Sequence, residues 1–388
     1  MFRSRSELRG TFFSLVGALV LAAACGGSND GEAADAGLQI ADGAIADAGP
    51  DATPPDATPP DASIFPVTLE ETGLYSDFAN EVLADGVLEY TPVWPLWSDG
   101  TTKRRWIQLP EGTTIDTSNM DFWVLPEDTK LWKEFTLDGQ RMETRLLWKA
   151  GPAAADWYFM SFAWDAAATE ALAVPDGVQN AHGTTYDIPR ERDCRTCHER
   201  QPDFALGFSA VQLAHQSTGV NLDTLIDDSL LTVPPTGTSP YFEIPGTGDE
   251  QAALGYFHGN CGGCHHPDSD VQDTAPGLLL RMEVAKLATV EETTVYTTAV
   301  GVAASISIGD NTCSDTTVCT LDAECAGIGD AVCINRASII EPGNLSGSSA
   351  YLRMADRGSN IQMPPKGSEI VDTEALAALE SWILSLAN

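Results

Sequence analysis

The chain has 388 residues, of which 43% are hydrophobic, and its 21 basic and 56 acidic residues give a formal net charge of −35. This excess of negative charge makes nucleic acid and anionic lipid surfaces poor partners, because both would repel the protein. The length allows two or three domains with cores of their own.

The N-terminus has the features of an export signal. Three arginines precede an apolar run at residues 12–24, which is too short for a typical spanning helix and ends in small residues. Residues 21–25, Leu-Ala-Ala-Ala-Cys, resemble a bacterial lipobox, in which Cys25 is acylated after cleavage. Gly26 stands where inner-membrane retention would require Asp, so the resemblance implies an outer-membrane lipoprotein facing the periplasm or the cell surface. Ordinary cleavage that leaves a free Cys25 is the alternative.

Two segments of different character follow the signal at residues 1–25. Residues 26–63 are rich in Ala, Asp, Gly and Pro and contain no basic residue, which predicts a disordered linker. Residues 64–247 contain eight of the nine tryptophans in short apolar runs separated by turn residues. A hairpin is predicted around Asp138-Gly139-Gln140 and a further strand at 157–164, so this region reads as an antiparallel β domain.

Two copies of one cysteine motif carry the chemistry of the chain. Residues 194–198 and 261–265 read Cys-Arg-Thr-Cys-His and Cys-Gly-Gly-Cys-His, the C-x-x-C-H pattern of covalent c-type haem attachment. Two thiols one helical turn apart can both reach one porphyrin edge, and the adjacent imidazole can bind the iron. A zinc site or a redox dithiol is the weaker reading, because both pairs are followed directly by His in a chain that looks exported. The prediction is two haem c groups, held by Cys194, Cys197 and His198 and by Cys261, Cys264 and His265.

The sixth iron ligands are less well defined by sequence. Met363 precedes two prolines and cannot lie in a regular helix, so its thioether would be presented from an extended loop to the second haem. Met354 competes, but it falls in a predicted helix, where Met more often packs in a core. For the first haem, His215 leads as the end of a predicted short helix at 209–215. The other candidates for that position are His182, Met282, Met120, Met142 and Met160.

The basic run at residues 103–105, Lys-Arg-Arg, stands out in an acidic chain. These cations could pair with haem propionates, although a solvated basic patch balancing nearby acids is the more frequent arrangement.

Helical spacing returns towards the C-terminus. Residues 251–260 predict a helix that runs into the second haem motif, and residues 376–386 predict a last helix capped by Asp372 or Thr373. With the Gln-Met-Pro-Pro segment between them, residues 248–388 resemble a class I cytochrome c domain. The expected fold class is therefore α+β multidomain, with the N-terminal antiparallel β domain followed by an all-α class I cytochrome c domain.

The resemblance extends over roughly residues 66–388. Pro-Leu-Trp-Ser-Asp-Gly, Lys-Arg-Arg-Trp, both haem motifs, Tyr-Leu-Arg-Met and Gln-Met-Pro-Pro occur in an order similar to that of a family of exported dihaem c-type cytochromes of poorly defined role. It implies covalent haem at both motifs, with His198 as one axial ligand and His265 with Met363 as another pair.

A cysteine-rich insert at residues 304–336 departs from that pattern. In an exported chain its four thiols are expected to form two disulfides in one of three pairings, with a metal site as the minority reading. The cysteines concerned are Cys313, Cys319, Cys325 and Cys333.

The predicted function is electron transfer by a dihaem cytochrome at the periplasmic side of the outer membrane, with periplasmic or outer-membrane redox partners, basic ones being favoured by the charge. The alternative is a peroxidase-like dihaem oxidoreductase with an open coordination site on the first haem, so enzymatic activity stays undecided. A substrate-binding β module that carries a cytochrome is a third reading.

Overall fold

Six consecutive antiparallel strands form the largest sheet of the protein. A two-stranded ribbon, β1 (Tyr75–Asp77) and β2 (Val82–Leu83), precedes it. The strands of the large sheet are β3 (Val87–Glu89), β4 (Thr102–Gln108), β5 (Lys130–Leu137), β6 (Gln140–Lys149), β7 (Trp157–Trp164) and β8 (Ala171–Ala173). Each pairs with the next along the chain, so the sheet is a meander whose order the sequence dictates directly.

This computed structural model describes residues 65–305 and 337–387, and the backbone of three short strands between them. Those strands, β9 (Asn311–Thr312), β10 (Val318–Cys319) and β11 (Ile334–Asn335), form a small sheet in the order β10-β9-β11. The predicted acylation of Cys25, the linker at 26–63 and the disulfides of the insert lie outside the described residues and stay predictions.

The β5–β6 hairpin confirms the turn predicted at Asp138-Gly139-Gln140. Asp138 and Gly139 have φ angles of 48° and 83°. Two successive positive φ values match the twist of the flanking strands, which is why Asp-Gly is favoured there. The predicted strand at 157–164 is also confirmed, as β7.

Both faces of the large sheet are covered. On one face Trp106, Trp132 and Phe162 pack against Leu69 and Leu74 from the segment before the sheet. On the other face Ile107, Leu131 and Phe159 pack against residues 208–231. Apolar residues therefore alternate towards two cores, and the second of these faces is the one that receives the first haem motif.

Six α-helices accompany the sheets among the described residues: α1 (Glu191–His198), α2 (Leu222–Asp227), α3 (Asp249–Tyr256), α4 (Thr294–Ala299), α5 (Ser349–Ala355) and α6 (Thr373–Ser385). The predicted last helix is confirmed as α6, and the Asp372 side chain caps it by accepting a hydrogen bond from the Ala375 N–H at 3.1 Å. No helix in the described part of the chain combines the length and apolar character needed to cross a membrane.

The expected fold class is wrong in its second half. The described part of residues 248–388 is not an all-α class I cytochrome c domain: its helical content is low, and only α6, with 13 residues, exceeds eight residues. The prediction relied on helical spacing at the two ends of this region. Between those ends, residues 262–348 are rich in Gly, Thr, Ser and Pro, which favour turns over helix. Residues 209–215 likewise form turns instead of the predicted short helix.

The C-terminal helices pack directly on the segment that precedes β4. The rings of Phe257 and Trp382 meet edge to face at 6.5 Å and join α6 to the end of α3. On the other side of α3, Trp94 lies so close to Gly255 that a Cβ atom there would come within 2.1 Å of the indole ring. Glycine is therefore required at position 255 by close packing.

Candidate functional site

The first haem motif lies on α1, whose last two turns carry Cys194, Cys197 and His198. The helix rests on β7: the Arg195 guanidinium lies 5.3 Å from the centre of the Phe159 ring and donates to the Trp157 carbonyl at 3.3 Å. The His198 ring lies 5.1 Å from that same Phe159 ring. The sheet therefore fixes the motif from below.

One hydrogen bond fixes the orientation of His198. Its Nδ1 lies 2.6 Å from the carbonyl oxygen of Phe204, and because a carbonyl can only accept, Nδ1 must carry the proton. The lone pair of Nε2 is then free, as an axial iron ligand requires. Burial lowers the pKa of His198 to about 4, so the imidazole is neutral at ordinary pH.

A buried ion pair holds the loop that presents the Phe204 carbonyl. The Lys149 ammonium lies 2.5 Å from an Asp203 oxygen, and both side chains are only 2% exposed. The other Asp203 oxygen accepts the Leu125 N–H at 2.6 Å. Phe204 itself has a positive φ of 53°, which the ion pair at the preceding residue stabilises. Sequence analysis missed this support, because Lys149 and Asp203 are separated by 54 residues.

The second haem motif begins where α3 ends. The chain continues from α3 into a single π turn, Phe257–Cys261, and the Cys261 carbonyl then accepts the His265 N–H at 2.9 Å. The predicted helix entering this motif is therefore confirmed. Nδ1 of His265 is buried without a hydrogen-bond partner, and burial lowers the pKa of this imidazole to about 4. In the neutral His265 ring, neither nitrogen is hydrogen-bonded to a described protein atom.

The four motif thiols are free and only partly covered by protein. Burial raises the pKa of Cys194 to about 11 and that of Cys261 to about 12. These thiols keep some accessible surface, yet they are desolvated. They therefore line recesses and do not lie on the outer surface of the protein. Neutral, accessible thiols beside a neutral imidazole fit thioether attachment of haem, and bound haem would add one-electron redox chemistry.

The two motifs meet at a common interface. Nε2 of His266, directly after the second motif, lies 2.7 Å from the carbonyl oxygen of Arg200, two residues after the first motif. Interaction between the Cys197 and Cys264 thiols lowers the pKa of Cys197 and raises that of Cys264. The Gln201 side chain donates to the Gly263 carbonyl, and an ion pair of 2.7 Å joins Arg200 to Asp270. The two motifs therefore lie against one another.

Met363 lies on a loop that the N-terminal part of the chain holds in place. The Met363 N–H donates to the Arg353 carbonyl at 3.0 Å, at the end of α5. Further along the loop, the Trp97 indole N–H donates to the Ile370 carbonyl at 2.9 Å, and the Asp99 carboxylate accepts the Ile370 N–H at 2.9 Å. The Pro-Leu-Trp-Ser-Asp-Gly segment is thus a clamp on the methionine loop.

Trp97 also joins this loop to the second motif, because its backbone N–H donates to Oδ1 of Asn260, the residue directly before Cys261, at 2.6 Å. The competing Met354 is 6% exposed and packs in the C-terminal core.

The ring of His215 is held by Ser217, and its Nε2 is buried without a hydrogen-bond partner among the described residues. Its Nδ1 accepts the Ser217 backbone N–H at 3.2 Å and contacts the Ser217 hydroxyl at 2.6 Å. In the neutral ring Nε2 must then carry the proton, the opposite of His198. The remaining candidates are dispersed: His182 is exposed, Met142 and Met282 are buried in two different cores, and Met120 and Met160 are partly buried at the edges of others.

No family model, curated protein or solved structure matches the chain. In the described ranges, no three His, Cys, Asp or Glu side chains are grouped closely enough to hold one metal ion.

Proposed function

We propose that this chain is a dihaem c-type cytochrome that transfers electrons. Haem is attached through Cys194 and Cys197 at the first motif and through Cys261 and Cys264 at the second. His198 and His265 bind the two irons, and Met363 supplies the sixth ligand of the second. The observation that carries the proposal is the hydrogen bond from His198 Nδ1 to the Phe204 carbonyl, because it leaves Nε2 free beside two accessible thiols.

The contact between the motifs supports electron transfer within the molecule. Gln201, three residues after His198, donates to the carbonyl of Gly263 inside the second motif, so an electron passing between the two haems would cross little intervening protein. The acidic surface favours basic redox partners, whose association would slow with rising ionic strength. Acylation at Cys25 would hold the protein at the periplasmic side of the outer membrane.

The second candidate is a dihaem oxidoreductase of the peroxidase-like kind, in which the first iron keeps an open position for a small substrate. One observation favours it: His215, the leading sixth ligand from sequence, uses Nδ1 as an acceptor and holds its proton on Nε2.

Haem stoichiometry tests the proposal. Protein from a host that matures c-type cytochromes should give a haemochrome spectrum and a mass with two haems per chain. The double variant Cys194→Ser/Cys197→Ser should keep one, and so should Cys261→Ser/Cys264→Ser. Colourless wild-type protein would contradict the proposal.

Carbon monoxide then separates the two candidates. If both irons are six-coordinate, the spectrum of the reduced protein should not change with carbon monoxide at stoichiometric concentration. A change at one haem that persists in Cys261→Ser/Cys264→Ser would assign an open site to the first haem and favour the oxidoreductase.

A further inference from the structure

Four cations occupy one face of the large sheet. Strand register sets Arg105 opposite Lys133, and Lys133 opposite Arg145, across β4, β5 and β6. Lys103 lies two residues before Arg105 on the same face. We call these four residues the cation cluster. Arg104, between two of its members, points to the opposite face, where it pairs with Glu89 at 3.1 Å.

The cation cluster has too little negative charge around it. Arg145 pairs with Glu143 at 2.6 Å, and Lys103 donates to the Leu96 carbonyl at 2.7 Å. Arg105 is 6% exposed, and neither it nor Lys133 forms an ion pair with any carboxylate in the described part of the chain. Like charges directly opposite one another destabilise a sheet, and buried charges are normally paired. A bound anion would relieve the repulsion within such a cluster.

Burial also withdraws the cations of the cluster from water. Desolvation lowers the pKa of Lys103 to about 8, and it lowers the pKa of Arg105 and, well below its usual range, that of Lys133. Lys133 nevertheless keeps partly accessible surface, and the Arg145 side chain is 25% exposed. Side chains that are desolvated and still accessible line a recess, which is where a ligand fits.

That recess adjoins the first haem motif. The His198 ring packs on Phe159 of β7 with 5.1 Å between the ring centres. Ser161, two residues further along β7 and so on the same face as Phe159, lies directly opposite Arg145 of β6. The cation cluster and the first motif therefore lie on the same face of the sheet, beside one another.

We propose that the cation cluster binds the propionate carboxylates of the haem attached at Cys194 and Cys197. This inference rests on the proposed function. Two carboxylates would balance the charges of Arg105 and Lys133, which lack acidic partners, and would stay ionised in the recess because cations surround them. The cluster would also favour the reduced iron of that haem, since nearby positive charge stabilises the state with one more electron.

Single substitutions on β4 and β5 test the assignment. Arg105→Gln and Lys133→Gln should each shift the one-electron reduction equilibrium of the first haem about tenfold towards the oxidised state, a fall of about 59 mV. Arg104→Gln is the matched control, because it removes a neighbouring cation from the opposite face, and the first-haem potential should not change. The full-length dihaem protein is used, and its mass is checked for two haems before each titration.

The outcomes distinguish the two proposals. Two haems per chain with unchanged potentials in Arg105→Gln and Lys133→Gln would overturn the propionate assignment and leave the cytochrome proposal standing. Wild-type protein without haem would defeat the cytochrome proposal itself.

A free dicarboxylate could also supply two carboxylates to the cation cluster. Succinate is the probe for this alternative. Calorimetry should detect no binding of succinate to the dihaem protein, because the propionates already occupy the cluster. Binding that disappears in Lys133→Gln and persists in Arg104→Gln would overturn the assignment.

Discussion

The two haem motifs share a five-residue pattern, but different parts of the protein hold them. At the first motif a regular helix lies on the sheet, and the His198 ring is oriented by a carbonyl whose loop is anchored by the buried Lys149–Asp203 pair. At the second, the motif follows a π turn, and His265 Nδ1 has no hydrogen-bond partner among the described atoms. Under the proposed function, the motif would specify haem attachment, whereas its surroundings specify how firmly the histidine is oriented.

This difference has a chemical consequence. A proton held on Nδ1 fixes the tautomer and raises the basicity of Nε2, so the first iron should have a strongly donating, immobile histidine. The second iron would depend more on its sixth ligand, and the loop with Met363 is held by contacts with Trp97 and Asp99. The two haems should thus respond to quite different substitutions.

The largest effect is expected at the sixth ligand of the second haem. Met363→His should lower its reduction potential by a sizeable part of the roughly 0.8 V that axial ligands span, because a thioether favours ferrous iron more than an imidazole does. Redox titration followed in the visible spectrum measures this. Met354→Leu is the control and should leave both potentials unchanged. If only Met354→Leu shifts the potential, the ligand assignment is wrong.

The next effect concerns the anchor of the first motif. Asp203→Ala leaves the Lys149 ammonium buried without its partner and should lower the free energy of unfolding by about 3–5 kcal/mol. It should also perturb the spectrum of the first haem, since the Phe204 carbonyl is no longer fixed. Denaturant titration and the spectrum of each haem are the measurements.

The control for that experiment is Asp270→Ala, which breaks an ion pair whose aspartate is 65% exposed and should cost at most about 1 kcal/mol. Equal losses in the two variants would show that the buried pair has no special role.

Sequence predicts those parts of this architecture that local chemistry determines. The Asp138-Gly139 turn, β7 and the Asp372 cap of α6 each follow from residues adjacent in sequence. The prediction of an all-α C-terminal domain was wrong because helical spacing at the two ends of residues 248–388 was extended across a middle segment rich in turn-forming residues. Because side chains alternate between the two faces of a strand, the sequence of β4 alone already places Lys103 and Arg105 on one face and Arg104 on the other. Only the strand register, which depends on long-range pairing, adds Lys133 and Arg145 to them.

A pH-dependent effect is expected near the second motif. His258 is 5% exposed, its Nδ1 accepts the Met282 N–H at 3.1 Å, and burial lowers its pKa to about 3. Between pH 3 and about pH 6.5, His258 binds a proton in the unfolded chain but not in the folded protein. The contribution of His258 to the free energy of unfolding is therefore fully present above pH 6.5 and is lost as the pH falls. At pH 5 the loss from this residue should reach about 2 kcal/mol.

His258→Gln should remove that contribution. Urea unfolding of wild type and variant at pH 7 and pH 5 isolates it, because every other titratable side chain is present in both proteins. Equal pH dependence in the two would contradict the neutral, accepting state of His258.

The smallest effect is expected at the clamp on the methionine loop. Asp99 accepts the N–H groups of Glu369 and Ile370 at 3.0 and 2.9 Å and the Ser368 hydroxyl at 3.3 Å, so Asp99→Ala removes three hydrogen bonds at a partly exposed site, at a cost of about 1 kcal/mol. Asp165→Ala is matched to it, since Asp165 accepts the N–H groups of Thr169 and Glu170 and the Thr169 hydroxyl in the β7–β8 turn, away from both motifs. Both variants should lose similar global stability, but only Asp99→Ala should let carbon monoxide displace Met363 from the reduced second haem more readily. If the two variants bind carbon monoxide alike, the clamp stabilises the fold without controlling the ligand, and the contrast between the two motifs lies in their histidines alone.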